Sequence, residues 1–269
     1  MVASNCTQNI YKFSEKVVAF LDILGFENLI AMAEQLDNPI ELIQYIDKAF
    51  TEEFSTSHLH REQFKVKLFS DCISISTEPS PPNLLMLIRI TASIQRNLAQ
   101  KGITLRGAIA CGKHFENENM IFSKALVIAH LLEKKFAVYP RVLIHSEIFN
   151  YLLNEQIIEH KSKYGTTFIS SDFDGYFYVD YLDNIRHILE TSTYSSIHSV
   201  CIIALQLHRE CILQYMDEIK TKSQIGKKYL WMADYHNRKV AECPIDETTK
   251  QGLMINSLPK REKCDNGSC

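Results

Sequence analysis

Two strand-like stretches, each ending at an aspartate, organise the chain. Val17-Val18-Ala19-Phe20-Leu21 places five apolar residues in a row, rich in β-branched and aromatic types, and predicts a strand buried on both faces, with Asp22 where it emerges. From 65 to 76, KVKLFSDCISIS, a strand ending at Phe69 leads through Ser70-Asp71 into the alternating Cys72-Ile73-Ser74-Ile75-Ser76. That pattern predicts a hairpin with Asp71 at its tip. Between the two stretches, a helical pattern runs through Leu29, Ile30, Met32, Ala33 and Leu36 and breaks at Asp37-Asn38-Pro39. A second helix restarts at Pro39 and runs through Ile43, Tyr45, Ile46 and Phe50. The polar stretch 55–61, STSHLHR, reads as a loop whose His58 and His60 are solvated rather than metal ligands.

Glu78-Pro79-Ser80-Pro81-Pro82 is a firm stop, followed by an amphipathic helix through Leu84, Leu87, Ile88, Ile94 and Leu98 that ends at Lys101-Gly102. GITLRGAIACG, 102–112, predicts a strand with Arg106 and Gly107 in its middle and a turn before Lys113-His114; a helix over about 122–136 and a strand at 142–144 follow. The central hairpin has no intervening helix, so the order predicts an α+β fold with a ferredoxin-like βαββαβ core, helices packed on the sheet, and a C-terminal helical extension. In the second half the pattern predicts a short helix at 146–153, a strand at 166–170, a hairpin turn at Asp172-Phe173-Asp174-Gly175, and long helices at 197–220 and 227–240. Asp172 to Gly175 resembles the start of a calcium loop, but the glutamate such a loop requires does not follow at its spacing. The expected organisation is one domain over 1–240, with its core at about 15–150 and a hairpin and helices at 151–240. A tail over 241–269 is expected to be flexible beyond 255.

Composition narrows the classes. Apolar residues make up 46% and charged residues 23%, an ordinary globular balance. The formal net charge is −3, so no global basic field draws the chain to nucleic acid or to an anionic membrane, and neither is an expected partner. The eight cysteines form no C-x-x-C pair, which argues against zinc and against a disulfide framework. No signal pattern and no run of about eighteen apolar residues is present, and the expected compartment is the cytoplasm.

The chemistry lies in the aspartates. If their strands are neighbours, Asp22 and Asp71 converge, and oxygen-only ligands on rigid elements suit Mg²⁺ or Mn²⁺ completed by substrate phosphates. Gly25 at the strand-to-helix junction lets the backbone approach a ligand, and the free amides at the following helix start favour an anion. Asp22 as a plain helix cap, and Arg106 as a plain strand residue, remain open on these grounds.

Taken in order, DILGF, SDCISIS, LRGAIACG and FSKALVIAHLLEKKFA resemble the catalytic domain of class III nucleotidyl cyclases. Tyr139-Pro140-Arg141, DFDGYFYVDYL, Lys228-Tyr229-Leu230-Trp231 and Tyr235-His236-Asn237 narrow the resemblance to the bacterial pyrimidine cyclases of Pycsar antiphage defence, over roughly 15–240. The resemblance implies two Mn²⁺ or Mg²⁺ ions held by Asp22 and Asp71, with the Ile23 carbonyl as a backbone ligand. It implies that the amides of Leu24, Gly25 and Phe26 face the triphosphate and that Arg106 holds the terminal phosphate. Where purine cyclases carry a transition-state asparagine and arginine, this chain has Val127 and Leu131; where an aspartate reads adenine it has Met120, with the partner lysine kept as Lys67. His130 replaces a tyrosine and Ser123 a glycine common among the relatives. Arg141 and Lys124 are candidates to replace the missing groups, with Arg141 as a surface strand residue the competing reading.

The implied activity is conversion of UTP to 3′,5′-cyclic UMP and pyrophosphate. The alternatives are CTP as substrate or an inactive nucleotide-binding module. A homodimer with active sites at the interface is implied by the resemblance alone.

Overall fold

The computed structural model describes residues 12–35, 40, 44, 46–48, 61–154, 168–221 and 223–259. His58, His60 and most of the helix expected over 39–50 lie outside them.

The fold is built on β1 (Ser14–Ile23), in which Val17 to Leu21 are all buried. Consecutive buried residues in a strand require cover on both faces, as the apolar run predicted. After β1 come α1 (Phe26–Gln35), β2 (Phe64–Phe69), β3 (Cys72–Thr77), α2 (Pro81–Ala99), β4 (Leu105–Glu116), β5 (Ile121–Ser123) and α3 (Lys124–Phe136). Then follow β6 (Val142–Ile144), α4 (Ser146–Asn154), β7 (Ile169–Ser171) and β8 (Phe177–Val179). The chain continues with α5 (Asp183–Thr191), α6 (Ser195–Leu213), α7 (Met216–Lys220), α8 (Gln224–Glu242) and α9 (Glu247–Leu253). One sheet runs in the order β2-β3-β1-β4-β6-β8-β7, with β5 paired to β4 off this path. β4 and β6 are parallel and every other pair is antiparallel. The β2-β3-β1-β4 half is the order of a ferredoxin-like core, and the α+β architecture expected from the sequence is the one observed.

The differences have local causes. No turn precedes Lys113: β4 runs on to Glu116, because His114 is buried against Ser123 rather than solvated, and the chain reverses only at 117–120. There the Asn117 side chain accepts from the amides of Asn119 and Met120, a turn that asparagine makes with its own backbone. The helix expected over 197–220 is two, α6 and α7, divided where Tyr215 stacks on Tyr229 of α8 at 3.6 Å. Helices α5 and α9 were not foreseen. Ile255, at the limit of the expected flexible tail, is buried and exchanges two backbone hydrogen bonds with the Asn237 side chain.

Candidate active site

Register places the site. Asp22 of β1 pairs with Cys72 of β3 on one side and with Arg106 of β4 on the other. Residues directly opposite in antiparallel strands point to the same face, so Cys72, Asp22 and Arg106 form a row across three strands. Asp71 joins them from the two-residue turn between β2 and β3, where Ser70 adopts φ of 57°. A non-glycine residue there is uncommon and costs about 1 kcal/mol or more. The Ile23 amide donates to the Asp71 carbonyl at 2.9 Å and ties the turn to the end of β1.

The row needs close strands. A Cβ at Gly107 would lie 2.2 Å from the Phe20 carbonyl oxygen, so β4 can approach β1 beside Arg106 only with glycine at that position.

A carboxylate oxygen of Asp22, one of Asp71 and the Cys72 sulfur all lie within 4.8 Å of one another. The Cys72 thiol is pushed up to about 12, first by burial and then by Asp71, and it donates to Asp71 Oδ1 at 3.5 Å. It is therefore a neutral thiol at neutral pH, and the donors presented to a cation are carboxylate oxygens, which fit Mg²⁺ or Mn²⁺.

Arg106 donates from Nε to Asp22 Oδ2 at 2.7 Å, and Glu133 Oε1 of α3 stands 2.8 Å from the same nitrogen. Glu133 is only 3% exposed; burial raises its pKa and the Arg106 charge opposes that rise. Sequence reading missed this residue although a signal was present. Ala125, Ala129 and Glu133 recur every four residues and are the buried positions of α3, which puts a carboxylate on the face turned to the sheet. Lys228, in the second turn of α8, was likewise assigned no role. It is half-buried, and its pKa is lowered by burial and by Arg106, against the pull of Asp22.

The remaining expected residues divide. Gly25 is exposed with φ of 73°, open space surrounds the place a Cβ would take, and α1 begins at Phe26, whose amide has no partner within the helix. Leu24 is different: its amide donates to the Thr104 carbonyl at 2.9 Å and is not available to a phosphate. Lys67 and Met120 are brought together, because Lys67 Nζ donates to the carbonyls of Asn117 and Glu118 in the turn that carries Met120, itself 49% exposed. Ser123 caps α3 by accepting from the Leu126 amide, and His130 packs edge-on against Phe20. Lys124 is exposed at the start of α3.

The surface-strand reading of Arg141 is corrected. It is fully buried, Nη1 donates to Asp172 Oδ2 at 2.5 Å, and Nη2 pairs with Asp174, while Trp231 Nε1 donates to Asp172 at 2.6 Å. A guanidinium paired with two carboxylates beneath the β7–β8 turn is not a surface strand residue. The Asp172-Phe173-Asp174-Gly175 turn is the hairpin expected, closed by Asp172 and Tyr176 and with Gly175 at φ of 80°.

No protein-family model matches the sequence, and no curated protein gives a match. Among solved structures the chain is similar to the adenylyl cyclase CyaB from P. aeruginosa, at a TM-score of 0.41 and 18% identity, covering 53% of this chain and 82% of that one. It is similar to the guanylyl cyclase Cya2 at a TM-score of 0.37 and 12% identity, covering 52% and 78%. It is also similar to the monomeric guanylyl cyclase domain of the RhoGC fusion protein from the aquatic fungus Blastocladiella emersonii, at a TM-score of 0.43 and 14% identity, covering 62% of this chain and 95% of that one.

Proposed function

We propose that the chain is a metal-dependent nucleotidyl cyclase that converts a pyrimidine ribonucleoside triphosphate, UTP before CTP, into its 3′,5′-cyclic monophosphate and pyrophosphate, as a second-messenger synthase of bacterial antiphage defence. The observation that carries this reading is the convergence of Asp22 and Asp71 oxygens at the end of β1 with Arg106 in the same row. Asp22, Asp71 and the Ile23 carbonyl would hold two Mn²⁺ or Mg²⁺ ions, which would acidify the ribose 3′-hydroxyl and neutralise phosphate charge.

The chain's own residues do the rest. The 3′-oxygen attacks the α-phosphorus, the bond from that phosphorus to the bridging oxygen breaks, and pyrophosphate leaves while the hydroxyl proton passes to solvent. Arg106 meets the charge that grows on the leaving group, since its hydrogen bond to Asp22 uses Nε and the forked Nη end is the part matched to phosphate oxygens. The exposed Gly25 turn and the Phe26 amide offer the triphosphate a backbone cradle at a helix start. Attack within one bound molecule costs little translational entropy, so positioning replaces part of what Val127 and Leu131 cannot donate.

The 117–120 turn supports a pyrimidine base. Lys67 spends its ammonium on that turn's carbonyls, and exposed Met120 offers no acceptor to the exocyclic amine of adenine. Dimerisation is supported by α3, on which Val127 and Leu131, one turn apart, are 57% and 44% exposed beside exposed Phe122. An apolar row of this kind on a helix flanking the site suits a second copy of the chain.

The test is incubation of purified protein with each of the four ribonucleoside triphosphates and Mn²⁺, with products resolved by mass. Cyclic UMP from UTP is expected, and Asp22→Ala should abolish it. Preferential turnover of ATP or GTP, or no cyclic product from any of the four, refutes the reading.

A further inference from the structure

Arg106 Nε carries one hydrogen, and two carboxylates stand within reach of it. The hydrogen goes to Asp22 Oδ2 at 2.7 Å; Glu133 Oε1, at 2.8 Å, receives no hydrogen bond and is buried without any other partner. A buried carboxylate oxygen left without a donor is costly, and natural structures keep few of them. The charges around Glu133 are Arg106 beside it, Asp22 beyond, and His130 and Lys134 on its own helix, of which His130 Nδ1 lies 3.7 Å from Oε2. Asp22 is also the carboxylate that a cation would claim.

We infer that Glu133 is the second seat of Arg106: when Asp22 takes a divalent cation, the Arg106 Nε–H passes from Asp22 Oδ2 to Glu133 Oε1, so that the site accepts the cation without leaving the guanidinium unpaired. This rests on the two-cation reading of Asp22 and Asp71 and adds a positioning residue to it. Glu133 touches no substrate and acts through Arg106. No bond is made or broken, and one hydrogen bond changes its acceptor.

The exchange makes cation affinity depend on Glu133 only through Arg106. With Arg106 present, Glu133→Gln removes the charge of the second seat while keeping its shape, and the cation must then break the arginine's one remaining ion pair. With Arg106 removed there is no hydrogen bond to exchange, and Glu133→Gln no longer bears on the cation. The measurement is Mn²⁺ binding to the full chain by electron paramagnetic resonance in wild type, Glu133→Gln, Arg106→Ala and the double variant. Glu133→Gln should weaken binding about tenfold beside Arg106 and less than about twofold without it, a coupling typical of residues in contact. Equal effects in both backgrounds, or none in either, overturn the exchange.

A second measurement reads the exchange in the wild-type protein. The Arg106 ¹⁵Nε–¹Hε resonance, assigned by its loss in Arg106→Lys, should move when Mg²⁺ is added to wild type, and an unmoved resonance at saturating Mg²⁺ overturns the inference. If wild type binds no Mn²⁺, or Asp22→Ala binds it equally, the two-cation reading falls and the exchange falls with it.

Discussion

At the scale of single residues, the proposed reaction rests most on Arg106. Its guanidinium lies between Asp22 of β1 and Glu133 of α3. In the proposed reaction, charge on the leaving pyrophosphate grows as the α-phosphorus bond breaks, so the arginine would contribute more in the transition state than in the ground state. Arg106→Ala should lower kcat/KM for UTP by roughly 10² to 10³, the usual cost of losing one such contact, and Arg106→Lys should recover only part, because lysine keeps the charge but not the fork. Circular dichroism should show both variants folded; an alanine variant within about threefold of wild type would mean that Arg106 holds no phosphate. The two aspartates and the arginine stood out because each lies at or within a stretch that reads as a strand, a continuous apolar run before Asp22, an alternating one after Asp71, and 102–112 around Arg106. Glu133 was equally legible in principle, from two alanines at four-residue spacing. It was passed over because a lone glutamate near a helix end, beside Lys134 and Lys135, reads as solvated.

Elements were more legible than their partnerships. The hairpin at Asp172 to Gly175 follows from its own four residues, since Asp-Gly fixes a turn locally. The purpose of its carboxylates does not, because the charge they hold is Arg141, 31 and 33 positions upstream. Nor does the role of Trp231 in α8, which stacks on Tyr139 and donates to Asp172. Together these groups fasten β6, the β7–β8 turn and α8 around one buried guanidinium. Breaking a buried ionic cluster from one side leaves unpaired charge, which typically costs about 3 to 5 kcal/mol. Arg141→Met should therefore destabilise the fold by about that amount in urea unfolding, while the folded fraction keeps its KM for UTP. Wild-type stability with lost turnover would return Arg141 to the reaction. Periodicity likewise ran α6 into α7 and overlooked α5 and α9, because these boundaries are set by what the second half packs against rather than by local composition.

The two halves of the molecule share one sheet, joined where β8 pairs with β6, and the C-terminal helices close over the second half with a buried polar core. His208 and His236 are both fully buried, with Nδ1 facing Nδ1 at 3.1 Å. Their tautomers follow from the ends of the chain. The Leu253 carbonyl can only accept, so His236 Nε2 carries the proton and its Nδ1 is bare; His208 Nδ1 must then donate to it, and His208 Nε2 accepts from the Tyr181 hydroxyl. Both rings are neutral; a further proton on His236 sets a donor against a donor, and one on His208 Nε2 makes the Tyr181 hydroxyl turn from donor to acceptor. Burial holds His208 well below the ordinary value, and the His236 charge adds to this; burial takes His236 down to about 4, with Arg209 adding to the effect and the Leu253 carbonyl opposing it. In the unfolded chain both titrate near 6.5, so between the folded and unfolded values the unfolded state binds more protons and stability falls as pH falls. His236 alone should cost about 2 kcal/mol by roughly pH 5, and His208 adds in the same direction. The melting temperature of wild type should drop steadily from about pH 7.5 to 5, whereas His208→Gln, which can still donate to His236 and accept from Tyr181, should drop less steeply over the same range. Equal slopes in the two proteins would show that acid acts somewhere other than this pair.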